Sequence, residues 1–281
     1  MFLSRNLTLL ASLVLSSSAV VAHPAWIMPS QSLFEKPSVV TVDGALSEDG
    51  SVFELNHRPL RFADGFYVLK PDGSSYSPKS EHYVSYTGRY RSSIEVPLAM
   101  EGSYRLGLSS YQIEVVEDKS QEKGHGGDEK GASDKGRGDK KEPAADKPAS
   151  TLKPGDRVEN ISRIETFVSV GRVTTIRPLN QGIEMIPQTS LADLHAGQSS
   201  RFRFLMDGKP LADLKVTLIK DGTRYRKDEE AIHLQSDDKG DITVKWPHNG
   251  MYLLEARGSD THGQYAQRNF RYVGSLEVLP Q

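Results

Sequence analysis

Short apolar/polar alternations broken by turn residues fill most of this chain. Residues 38–46 read SVVTVDGAL, 62–76 FADGFYVLKPDGSSY, 92–98 SSIEVPL and 102–117 GSYRLGLSSYQIEVVE, bounded by signals such as EDG, PDG and EGS. The same grammar resumes with SRIETFVSVG, SRFRFLMDGKPL, LKVTLIKDG, GDITVKWP, GMYLLEARG and NFRYVGSLEVL. Runs of about 5–8 residues at spacings of roughly 8–12 predict antiparallel sandwiches rather than a parallel α/β sheet. No stretch carries a long helical period, and MIPQTSLADLHAG (185–197) has room for one short helical turn. The expected class is all-β, with one β-sandwich domain over residues 23–184 and a second over 185–281.

Two segments break the pattern. Arg5 followed by the apolar run LTLLASLVL and the small residues SSSAVVA has the layout of a secretory leader, residues 1–22, cleaved after Ala22. Ala19, with Ser17 at −3, is a competing site. The apolar run falls short of the roughly 20 residues that span a bilayer. Export to a bacterial periplasm is the expectation. Residues 118–150 contain no aromatic and no branched aliphatic residue, and their interleaved charges cancel. Such a stretch cannot bury enough apolar surface to offset its ordering entropy, so it is expected to be a disordered insertion. His125, in KGHGG, is read as part of that solvated tract.

The chain has no cysteine, so an exported fold must rest on its hydrophobic core. A net charge of −2 argues against nucleic acid or an anionic membrane as a partner, since both would favour a basic face. No G-x-S-x-G, no thiol nucleophile and no Gly-rich phosphate loop occurs, and no enzyme activity is expected.

Residues DGKPLADLKVTLIKDG and QSDDKGDITVKWPHNGMYLLEA resemble the transthyretin-like or collagen-adhesin-B-like sandwich, an Ig-like module, with Gly208, Gly240 and Gly250 at turns that favour positive φ. AHPAWIMPS, DGSVFELNHRPL, SRIETFVSVGRVT and NQGIEMIPQTSLADLHAGQSSRFRFLMDGKPLADLKVTL extend the likeness. Over nearly the whole mature length the chain resembles a bacterial family of exported proteins. That family was first described as a domain of unknown function and occurs as periplasmic components of nickel or cobalt uptake systems. The resemblance implies two β-sandwich domains and a role around transition metals, and it places a histidine at position 57.

Cleavage after Ala22 would make His23 the first residue, offering its α-amine and imidazole to a metal. A second imidazole completes a three-nitrogen set suited to copper or nickel. Pro24 carries no amide proton for a metal to displace. His57, in FELNHRPL, is the candidate second ligand, near a sandwich rim. His82, His195, His233, His248 and His262 are weaker candidates, and no close His-x-x-x-His spacing occurs. Trp26 is read as core, Arg89 and Arg91 as a solvated strand face, and Glu165 as a group behind the metal or a strand residue facing water. The function expected is capture or transfer of nickel, cobalt or copper, with a membrane metal transporter or outer-membrane receptor as partner. A metal-free structural or interaction module of the cell envelope and a copper-dependent oxygenase are the competing classes.

Overall fold

The computed structural model describes residues 25–48, 51–86, 88, 90–117, 152, 153 and 155–281. The leader, His23, Arg89 and the charged stretch 118–150 lie outside these residues. The described chain is all-β, as the alternation predicts. Its strands are β1 (Ala25–Pro29), β2 (Leu33–Phe34), β3 (Ser38–Ser47), β4 (Asn56–Pro59), β5 (Phe66–Leu69), β6 (Ser75–Tyr76), β7 (Tyr83–Tyr86), β8 (Arg91–Leu98) and β9 (Gly102–Val115). Then follow β10 (Arg157–Val170), β11 (Ile183–Pro187), β12 (Ser199–Met206), β13 (Lys209–Pro210), β14 (Lys215–Lys220), β15 (Ile232–Gln235), β16 (Asp241–Lys245), β17 (Gly250–Asp260) and β18 (Gln267–Val278). The only helical structure near 185–197 is one 3-10 turn at Leu191–Asp193, capped by the Ser190 hydroxyl.

One nine-stranded sheet, in the order β15-β14-β17-β18-β10-β9-β5-β6 with β2 beside β10, runs through the molecule. It takes strands from both halves of the sequence, and they meet where β10 and β18 pair in parallel from Val158↔Gln267 to Thr166↔Ser275. Two smaller sheets cover it: β1-β3-β8-β7 with β4, and β11-β12-β13 with β16.

Side-chain alternation shows which face each small sheet covers. Phe270, Tyr272 and Leu276 of β18 enter the core beneath β12 and β16, whereas Val273 points to the opposite face, against Trp26 and Phe53. On β9, Tyr104, Leu106 and Leu108 pack against Val40, Val42 and Ile94 of the first small sheet, while Arg105 points the other way, to Glu184 on β11. The small sheets therefore lie on opposite faces, offset along the central one. A rotation of one sandwich onto the other about a line between β10 and β18 accounts for both the parallel pairing and the exchange of faces.

The two halves also share a corner. Gly102 (φ 121°) and Gly250 (φ 131°) each stand two residues before a buried tyrosine, where the chain crosses from a small sheet into the central one. Tyr104 donates to the Met100 carbonyl at 2.9 Å, and Tyr252 to the His248 carbonyl at 2.9 Å, both four residues upstream. This is the tyrosine corner of Ig-like sandwiches, present twice.

β1 is buried on both sides. Ile27 enters the first core, and Trp26, fully buried, packs edge-on to Phe53 at 5.2 Å against Leu253 and Val273. Burying two such side chains contributes about 1.5–3 kcal/mol each, and it fixes the strand that begins two residues after His23.

Candidate functional site

His57 owes its position to a β-bulge. β4 pairs with the end of β3, but the register runs Ala45↔Pro59, Leu46↔Arg58 and then Ser47↔Asn56, so His57 is the inserted residue. Bulges bend a strand and re-aim a side chain outward, and the His57 side chain is exposed. Both flanks of the bulge are anchored. Upstream, Val52 and Phe53 are buried, the Val52 amide donates to Thr223 Oγ1 at 3.0 Å, and Glu54 accepts from the Gly222 amide and from Thr223 Oγ1. Downstream, Phe62 sits in the first core, edge-on to Phe66 at 5.1 Å.

The other edge of β3 carries β1, with Ala25 opposite Leu46. Leu46 thus has Ala25 on one side and Arg58 on the other, two strand spacings or roughly 10 Å apart. The start of β1 and the His57 bulge share one end of the sheet. His23 itself lies outside the described residues. Among the described residues, no group of three or more His, Cys, Asp or Glu side chains gathers where it could hold a metal ion.

Beside β4 opens a cleft of about 370 Å³ lined by Leu46, Arg58, Leu60, Arg61, Ser110 and Ser162, among others. Arg58 and Arg61 make it a poor seat for a bare divalent cation.

None of the other described histidines joins His57 in a group of three metal-binding side chains. His195 has Nδ1 2.6 Å from the Pro280 carbonyl and Nε2 3.1 Å from the Ala192 carbonyl, so both nitrogens face backbone. His82 lies 3.9 Å from Glu81, His262 3.9 Å from Asp260, and His233 3.3 Å from Thr217.

Two sequence expectations need correction. Glu165 does not face water; it is fully buried. It accepts from Tyr67 at 2.5 Å, Tyr272 at 3.0 Å and Arg163 at 3.3 Å, with Arg105 at 3.6 Å. Arg105 also reaches Glu184 at 3.0 Å and the Met185 carbonyl at 3.1 Å, and Glu184 takes the amides of Leu179 and Asn180. Period-two alternation assigned Glu165 to water because it assumes one wet face, and here the central sheet is covered on both. Burial, then the nearby Glu165 charge, pushes the Tyr67 and Tyr272 hydroxyls well above their ordinary range. Burial is the largest single influence and works against the Arg105 and Arg163 charges, but Glu165 and the neighbouring polar groups together outweigh it, and both guanidiniums are held more firmly protonated. Arg91 is not a solvated strand residue either. It pairs with Asp43 at 2.9 Å, donates to the Phe53 carbonyl at 2.9 Å and lies 5.0 Å over the Trp26 ring.

The family described as Domain of unknown function (DUF4198) matches residues 20–260. The chain belongs to the DUF4198 family. No curated protein matches this DUF4198 chain. Among solved structures it is similar to the D0-D1 domain of Intimin, at 10% identity over 90% of this chain and 97% of that one, with a TM-score of 0.23. It is also similar to the fibronectin(III)-like modules of Clostridium thermocellum CbhA, at 11% identity, 90% and 94% coverage and a TM-score of 0.21. A third is Salmonella alpha-2-macroglobulin reacted with methylamine, at 13% identity, 97% and 16% coverage and a TM-score of 0.21. TM-scores this low carry no argument about the DUF4198 chain.

Proposed function

We propose that the protein is an exported, non-enzymatic transition-metal carrier of the periplasm. It holds nickel, cobalt or copper through His23 at the processed N-terminus and the imidazole of His57, and passes the ion to a membrane transporter or outer-membrane receptor. The observation that carries the reading is the bulge. It is an exposed histidine inserted at a braced sheet end, on the same end from which β1 starts two residues after His23. The amine and imidazole of His23 with one further imidazole make a nitrogen set suited to these metals. Nickel or cobalt as cargo follows from the family resemblance alone.

The test is to purify the exported, processed chain, determine its first residue by intact mass and titrate it with Ni²⁺, Co²⁺ and Cu²⁺ in separate experiments. The expected result is a start at His23 and one metal per chain, with affinity lowered at least about tenfold (1.4 kcal/mol) in His57→Ala at unchanged thermal stability. Peroxide formation with a reductant and copper is expected to stay at the level of His57→Ala. A start at Val20, or identical affinity in His57→Ala, would overturn the proposal.

A further inference from the structure

The geometry points to β9 as an edge through which two copies of this chain pair. β9 is bonded to β10 along its whole length, but on its other side β5 accompanies it only from Arg105 to Leu108. Gly65, just before β5, stands beside the next residue, since a Cβ there would lie 3.6 Å from the Ser109 carbonyl oxygen. From Tyr111 to Val115 no described strand lies on that side.

The direction of the free backbone groups follows from the ladder. The Val116 amide donates to the Asp156 carbonyl at 2.8 Å, so even-numbered residues of this stretch bond to β10 and odd-numbered ones point outward. The outward donors and acceptors therefore belong to Tyr111, Ile113 and Val115. Their side chains share one face and are exposed at 56, 42 and 57% respectively. An apolar row on an open edge is a template for another strand.

The row is symmetric about Ile113. An antiparallel second copy centred there sets Tyr111 opposite Val115, Ile113 opposite Ile113, and Gln112 opposite Glu114. Each apolar residue meets an apolar one, and no like charges face each other. The three opposed pairs exchange about six backbone hydrogen bonds, two per pair. The contact is isologous, so it closes at two copies and joins two nine-stranded sheets into one. The chain's own charged stretch is a poor rival for the edge. Residues 118–150 contain no aromatic and no branched aliphatic residue to match the row, and they are rich in Gly, Asp, Glu and Lys, which disfavour strands.

Five residues a side bury far less than the roughly 1,200 Å² of a stable interface, so the dimer is weak and reversible. The test is sedimentation of the processed, full-length chain in EDTA from about 10 μM to 1 mM, a range matching such affinities. A shift toward dimer across this range is expected. Ile113→Pro deletes only an outward N–H, leaves the β10 ladder intact, and should remain monomeric with a melting temperature close to the parent's. If that variant misfolds, Ile113→Lys makes the same test. Because the chain has no cysteine, Ile113→Cys supplies a single thiol, placed about 5.5 Å from its copy between Cα atoms, a normal disulfide separation. It should oxidise to a covalent dimer about tenfold faster than a Tyr225→Cys control, although that control site is the more exposed of the two (a difference of about 1.4 kcal/mol in barrier). A chain that stays monomeric at the highest concentration, or equal oxidation rates for the two cysteine variants, would overturn the proposal. So would dimerisation that appears only after residues 118–150 are deleted, which would mean that this stretch covers the edge.

Discussion

Replacing Glu165 by Gln tests whether the buried charges hold the two halves together. Glu165 and Glu184 balance Arg105 and Arg163, and the side chains of Glu165, Glu184 and Arg105 are fully buried. At 3.3 Å from Arg163 and 3.6 Å from Arg105, each attraction is about 5 kcal/mol at an effective dielectric of 20. The solvation lost by both charges offsets much of that, and removing one partner of a buried pair costs about 3–5 kcal/mol net. At about 2–4 °C per kcal/mol for a chain of this size, the melting temperature falls by roughly 6–20 °C. Glu165→Gln should therefore unfold at lower urea with an unchanged m-value, measured on the processed chain by circular dichroism. Adding Arg163→Met restores charge balance, and part of the loss should return, with a coupling of about 0.5–3 kcal/mol. A loss below about 1 kcal/mol, or a double variant no better than the sum of the singles, would refute an electrostatic role for this cluster.

Other outcomes follow from the same structure. Tyr67 and Tyr272 are held protonated in the fold but ionise near pH 10 once unfolded. The stability they contribute is complete below about pH 10 and lost as pH rises further, and a Tyr272→Phe variant should show a shallower alkaline limb in pH-dependent melting. Arg203 hydrogen-bonds Asp241 and holds its carboxyl below the usual range, so that pair stabilises the fold above about pH 4 and is lost on acidification; Asp241→Asn should flatten the acid limb. Tyr104 donates to the Met100 carbonyl and accepts from the Met100 amide at 2.7 Å, whereas Tyr252 makes a single such bond. Tyr104→Phe should then cost about 1–3 kcal/mol against about 0.5–1.5 for Tyr252→Phe, and equal costs in urea melts would refute this reading of the corners. A Cβ on Gly107 would come 2.7 Å from the Ile164 carbonyl and 2.9 Å from the Tyr67 hydroxyl, so Gly107→Ala should destabilise by about 1–3 kcal/mol through overpacking, seen in the same melts.

The strands were legible because each carries its own periodicity: SVVTVDGAL, SSIEVPL and GMYLLEARG form β3, β8 and β17 within a residue or two. Trp26 was legible as core for the same reason, and the turn glycines 208, 240 and 250 have the positive φ their context demands. What the sequence could not disclose is pairing between distant strands. The parallel union of β10 and β18 joins segments about a hundred residues apart, and nothing local in either marks the other as its neighbour. The buried charges were invisible as a consequence. Arg105, Arg163 and Glu165 occupy the polar phase of an alternation that, on a sheet open to water, would be solvated. Only the second small sheet, arriving on that face with Glu184, turns those positions into an interior. One signal was available: Phe167 and Ile161 stand in the same phase as Arg163 and Glu165, so both phases of this strand carry apolar residues, as expected for a strand covered on two sides. His57 was legible as a rim residue from its Pro59 neighbour, but the bulge that aims it depends on its register with β3. The same dependence on register governs Tyr111, Ile113 and Val115. Their alternation looks like one face of any strand, and it becomes an open edge only because β5 leaves β9 at Leu108.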